Sequence, residues 1–210
     1  MCAAMRNVVF LLLALCLAPA WAQSDPLFEA VAAGRIEEVE RLIGAGAAVN
    51  ARNEDAETLL YVAAEKGHAE IVRFLLARGA DVKVPTANGE TALHAAALNG
   101  DPALLLFLLD RGAEVNRANR DGERPLFWAA AAGRGRAAKL LLERGAEVNA
   151  VDHHGNSALH GAVDGGHDAA ALMLLNQGAK PSLRNAAGDT ALDIARRRGE
   201  ADVVKLLQPR

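Results

Sequence analysis

Leucine recurs along this chain at a fixed interval: Leu27, Leu60, Leu93, Leu126, Leu159 and Leu192 are each 33 residues apart, with no insertion or deletion between them. Three positions after each stands alanine (Ala30, Ala63, Ala96, Ala129, Ala162, Ala195), and seven after each stands glycine (Gly34, Gly67, Gly100, Gly133, Gly166, Gly199). Fifteen positions on there is another leucine: Leu42, Leu75, Leu108, Leu141, Leu174 and Leu207. The chain therefore reads as six copies of one unit, starting at residues 25, 58, 91, 124, 157 and 190. So short a unit cannot bury its apolar face alone, and its neighbours must cover it.

Within each unit the pattern predicts two short helices separated by glycine. Asp25, Thr58, Thr91, Ser157 and Thr190 sit where a side-chain oxygen can cap a helix start, and Pro26 and Pro125 occupy the next position, where a missing N–H costs nothing. The first helix runs about two turns to the glycine, which can adopt the left-handed conformation that ends a helix. A second helix follows, its start marked in the third unit by Asp101-Pro102, and Gly-Ala pairs such as Gly112-Ala113 close it. Asn88-Gly89, Asp121-Gly122, His154-Gly155 and Ala187-Gly188 then predict tight, hairpin-type turns between units. The expected fold is all-α, a solenoid of helix-turn-helix units joined by β-turn or hairpin loops.

The segments Thr91-Ala92-Leu93-His94-Ala95-Ala96 and Ser157-Ala158-Leu159-His160-Gly161-Ala162 come close to T-P-L-H-x-A, and with the 33-residue period they make the chain resemble the ankyrin-repeat family. Other units depart from that motif. Phe28, Tyr61 and Phe127 put an aromatic where the family has histidine, and Asp193 an acid, which is expected to weaken local hydrogen bonding while leaving the apolar frame intact. The last unit carries Arg196, Arg197, Arg198 and Gln208 at positions that are small or apolar in most other units, as suits a terminal cap facing water. The resemblance implies a shape-matched binding scaffold with no particular partner specified.

Residues 1–22 stand apart from the repeats. Arg6 precedes an apolar run from Val8 to Ala18, and the stretch closes on Ala20-Trp21-Ala22, the layout of a cleaved signal peptide. The run is well short of the roughly 20 residues a membrane-spanning helix needs. The expected mature chain starts at Gln23, spans 23–210 and is periplasmic or secreted, without membrane attachment. The competing reading, a lipoprotein anchored through Cys16, has Leu15 where a small residue is needed. Cleavage would remove both cysteines, Cys2 and Cys16, and with them disulfides, thiol catalysis and zinc-thiolate sites. The absence of an N-x-[ST] sequon and the short Ala-rich leader lean towards a bacterial envelope.

Composition narrows the function. The chain is 51% hydrophobic but only 4% aromatic, which fits a helical array built on Ala, Leu and Val. Arg6 is the one charge in residues 1–22, so the mature chain keeps 22 of the 23 basic groups against 26 acidic ones, a net charge of −4 that disfavours nucleic-acid binding. No G-x-S-x-G elbow or phosphate-binding loop is present; Gly155-Asn156-Ser157-Ala158-Leu159 lacks the second glycine. No catalytic pair can be named, and the reading is a non-enzyme without cofactor. One alternative is a metal-binding or enzymatic accessory role at His153 and His154 with Asp164; a pH-sensitive contact surface is the other use of these histidines.

The function that remains is a protein–protein interaction module, monomeric when free, binding one protein partner as a chaperone-like subunit or inhibitor. The resemblance implies a concave groove lined by the turn tips and the exposed side of the first helices. By register, the early units offer Glu54, Asp55, Glu57, Glu65 and Lys66 to it. The middle units offer Glu90, Leu98, Asn99, Arg120, Asp121, Glu123 and Trp128, and the late ones His153, His154, Asp164, Arg197 and Arg198. The groove would run from acidic to basic. Trp128, the one tryptophan outside residues 1–22, stands where other units carry Glu29, Val62, Ala95, Gly161 and Ile194. A position so tolerant is no demanding core site, which predicts a partly groove-facing hot spot; packing onto Phe127 or a neighbouring unit is the competing reading.

Overall fold

A computed structural model describes residues 25–208, so the predicted signal peptide and its junction at Gln23 lie outside the described residues. Among those residues there are twelve helices, two per unit, and no strands. The first helices are α1 (Pro26–Ala32), α3 (Leu59–Glu65), α5 (Ala92–Asn99), α7 (Pro125–Ala131), α9 (Ala158–Asp164) and α11 (Ala191–Arg198). The second helices are α2 (Ile36–Gly44), α4 (Ala69–Ala77), α6 (Pro102–Asp110), α8 (Gly135–Glu143), α10 (Asp168–Asn176) and α12 (Ala201–Leu207). Each first helix packs on the first helix of the next unit and on its own second helix, giving two layers.

The caps form where the residue types allow. Asp25 accepts from the Leu27 N–H, Thr58 from Tyr61, Ser157 from His160 and Thr190 from Asp193. Arg124 has no side-chain oxygen, and α7 starts on Pro125 without a side-chain cap. Helices of seven to nine residues are too short to persist alone, so burial between units supplies their stability. All six periodic alanines are fully buried. With no atom beyond Cβ they let the helices approach closely, and a larger residue there would overpack the seam. The periodic leucines are buried except at the two ends, where Leu42 and Leu192 are only partly covered.

The turns between units are tight but do not extend into strands. Antiparallel pairing is limited to the isolated bridges Arg52 with Thr58 and Val151 with Ser157, and the tips also bond sideways to one another. The Arg120 N–H donates to the Asn88 carbonyl at 2.8 Å, His153 N–H to Asp121 at 2.8 Å and Ala186 N–H to His154 at 2.7 Å. Each tip thus docks on the one before it. The first tip differs, with Ala56 left-handed at φ 56° where later units place glycine, and its link from Ala87 N–H to the Asp55 carbonyl stretched to 3.4 Å.

Candidate functional site

The face formed by the turn tips and first helices is built on a side-chain column that the periodic leucines do not reveal. Asn53, Thr86, Asn119, Asp152 and Asn185 occupy one position in successive units, and each oxygen accepts two backbone N–H groups of its own turn. Four residues later stand Glu57, Glu90, Glu123, Asn156 and Asp189. These side chains are thereby held at the foot of every tip. Glu57 accepts from Asn53 Nδ2 at 2.7 Å, and Glu123 from Asn119 Nδ2 at 3.0 Å.

In three units the fourth residue of the T-x-L-H segment ties its helix to the turn that leads into the next unit. His94 Nδ1 accepts from the Thr91 N–H at 3.1 Å, which fixes the ring so that Nε2 faces the Glu123 carbonyl at 3.3 Å. His160 repeats this with Ser157 and with the Asp189 carbonyl at 3.2 Å. Burial pushes the His94 imidazole down to about 4 and lowers His160 as well, so both rings work as neutral clips. Tyr61 does not weaken its seam as the motif departure suggests: its hydroxyl donates to Glu90 Oε2 at 3.2 Å, across the same gap. Burial and then the Glu90 charge push that phenol up. Asp193 likewise closes a capping box by accepting from the Thr190 N–H at 3.0 Å.

Phe127 is the departure that changes the surface. It forms no polar tie and packs against Gly161, where even a Cβ would lie 3.0 Å from the ring. On one side of Phe127 a recess of about 410 Å³ is lined by Leu98, Glu123, Phe127, Trp128, Ala131 and Ala132. On the other a more polar recess of about 330 Å³ is lined by residues that include His160, Gly161, Asp164, Asp189 and Arg197. Trp128 is half-buried, its ring edge-on to His94 with centroids 5.6 Å apart and its Nε1–H donating to Glu123 Oε2 at 2.8 Å. The indole is both anchored against the stack and part of the recess wall. Leu98, at 39% exposure, is one of three large apolar side chains left open among the described residues.

The other residues chosen by register divide into exposed groups and stack fittings. Glu54, Asp55, Arg120, Asp121, His153 and His154 are exposed at the tips. Asn99 is a fitting, its Nδ2 donating to the Glu65 carbonyl at 3.3 Å, while the Glu65 carboxylate pairs with Lys66 at 2.9 Å. Arg197 pairs with Asp189 at 2.7 Å, and Arg198 with Glu200 at 2.7 Å and Asp164 at 3.9 Å. The basic end is therefore largely neutralised, whereas no cation pairs with Glu57, Glu90 or Glu123 among the described residues within 4.0 Å. Among these residues no three His, Cys, Asp or Glu side chains come together as a metal site. His153 lies against Gly122, and Asp164 is engaged by Arg198.

The first recess has one titratable wall residue, Glu123, already accepting two side-chain hydrogen bonds. It offers apolar surface with a fixed carboxylate at its edge, which is a means of holding a side chain. No helix among the described residues is long and apolar enough to cross a membrane. The family described as "Ankyrin repeats (3 copies)" matches the chain over residues 1–86, 27–119, 79–152 and 99–185. A comparison with curated proteins finds no match.

Proposed function

Because the chain belongs to the ankyrin-repeat family, whose members are generally protein–protein interaction modules and typically non-enzymatic, we propose that it is a non-catalytic scaffold acting outside the cytoplasm that binds one protein partner on its inner face. The observation that carries this is the recess at Leu98, Phe127 and Trp128, a pocket of apolar and aromatic side chains on the face formed by first helices and turn tips. Aromatic anchors in such a setting concentrate binding energy, since they combine a large apolar area with a directed polar group. Export is supported by the Arg6, Val8–Ala18 and Ala20-Trp21-Ala22 pattern. The remaining inner-face residues, from Glu54 and Asp55 to His153 and His154, contribute complementarity around that centre.

The test is purification of the tagged full chain from its native cells beside a Leu98→Asp, Trp128→Ala variant. Stoichiometric recovery of one protein with the parent and its loss from the variant is the expected outcome. Equal recovery with both places binding elsewhere. Mass spectrometry of the same material reads the export half: an N-terminus at Gln23 is expected, and a lipid-modified Cys16 or an uncleaved Met1 overturns it.

A further inference from the structure

The Leu98–Phe127–Trp128 recess has two electrically unlike flanks. Towards the earlier units, Glu123, Glu90 and Glu57 are half-buried at equivalent positions, oriented by the neutral donors Trp128 and Asn119, Tyr61 and Thr86, and Asn53 respectively. None of the three has an ion-pair partner within 4.0 Å among the described residues. Towards the later units the corresponding places hold neutral Asn156 and then Asp189, neutralised by Arg197 at 2.7 Å. The cations near this flank are engaged elsewhere or stand at a tip: Lys66 is held by Glu65, Arg124 pairs with Glu147 at 3.7 Å, Arg134 Nε donates to the Leu98 carbonyl at 3.0 Å, and Arg120 is exposed at a tip. The upward push on the Tyr61 phenol comes first from burial and then from Glu90, with Glu57 and Glu65 adding to it.

We propose that the occupant of this face is an extended segment of a partner protein that seats a bulky apolar side chain in the recess and runs Lys or Arg side chains along Glu123, Glu90 and Glu57. This rests on the inner-face reading given above and names the chemistry of the partner. Fixed, half-buried carboxylates need little reorganisation to meet a cation, and a segment lying over them removes the water that screens them. The spacing also suits such a segment. Packed helices lie roughly 8 to 10 Å apart, and an extended chain of the polyproline II type rises about 3.1 Å per residue with three residues per turn, so successive carboxylates match every third residue of the segment on one face. The neutralised later flank gives basic residues no comparable attraction, which makes the segment's charge one-sided.

A phage-displayed library of random peptides about twelve residues long, enough to span three units when extended, tests this against the immobilised full chain. Enriched sequences are expected to carry one bulky apolar residue with two or more Lys or Arg on one side of it, at three-residue intervals. Their affinity should fall at least about tenfold on Leu98→Asp. It should fall about fivefold to tenfold on Glu57→Gln with Glu90→Gln. Only the second loss should shrink when salt is raised to about 0.5 M. Thermal melts of each variant check that Leu98, exposed, and the two glutamates are not needed for folding. Enriched peptides that respond to Leu98→Asp but are neutral or acidic overturn the basic-segment proposal alone. Peptides indifferent to Leu98→Asp, or a library yielding no binder sensitive to either variant, overturn it together with the inner-face reading.

Discussion

The seam between the third and fourth units and the seam between the fourth and fifth use one repeat position in opposite ways. At the first, His94 joins the Thr91 N–H to the Glu123 carbonyl with no solvent access. At the second, Phe127 bonds to nothing polar, packs on Gly161 and borders two recesses. The His94 clip spends its capacity inside the stack, whereas His160 still borders the more polar recess. An aromatic filler leaves apolar wall where the clip would have been. The apolar recess thus arises where the unit departs from its own pattern, and the departure is tolerated because the buried leucines and alanines still hold the stack.

The largest effect separating the two seams is their response to acid. The folded pKa of His94 lies at about 4, below the ordinary 6.5, so the unfolded chain binds its proton more readily. Stability is therefore complete above about pH 6.5 and is lost as pH falls towards 4, by about 3 kcal/mol from this residue. His160, shifted in the same direction by burial, adds to the loss. Urea melts across that range measure it, and a flat profile contradicts the neutral-clip assignment. Next, His94→Phe should cost about 2 kcal/mol by stranding the Thr91 N–H and leaving the Glu123 carbonyl with only the Asn119 N–H, whereas Phe127→His should cost about 1 kcal/mol or less, having no buried partner to strand. Equal losses in denaturant melts would erase the distinction between the seams.

Gly161→Leu should cost about 1 to 3 kcal/mol by driving side chain into Phe127 and Ala131, while Gly161→Ala should be close to neutral, because helix propensity gains about 1 kcal/mol against a slight clash. Melts of the pair show whether the glycine is matched to Phe127. Ala56→Gly should stabilise by about 0.5 to 1 kcal/mol, since a left-handed residue with a Cβ is strained. At the small end, Glu143→Ala on α8, where its pair with Lys139 at 3.8 Å is exposed, should stay within about 0.5 kcal/mol.

The architecture was legible because its signal is a single column read down a constant period: Leu27 to Leu192 for the core, Asp25 to Thr190 for the caps. The column of Asn53, Thr86, Asn119, Asp152 and Asn185 was open to the same reading and is masked only by its change of residue type. What escapes is contact between columns. His94 reaches Glu123 across 29 residues, Asn116 Oδ1 accepts from the Glu147 N–H across 31, and Arg134 Nε donates to the Leu98 carbonyl across 36. None of these offsets equals the period, so they emerge only when the units are stacked. The fit of Phe127 to Gly161 is of this kind, as is the bond from Trp128 to Glu123, which makes the indole an anchored wall rather than a free one.

Leu98 on α5 and Leu172 on α10 allow a matched test of the inner face. They are similarly exposed, at 39% and 44%, one on a first helix and one on a second. A photo-reactive residue placed at either site in the full chain, illuminated in the native cells, reports which face holds the partner. One discrete protein adduct from position 98 and none from position 172 is the expected result. An adduct from position 172 with position 98 clean, or the same adducts from both, would contradict it.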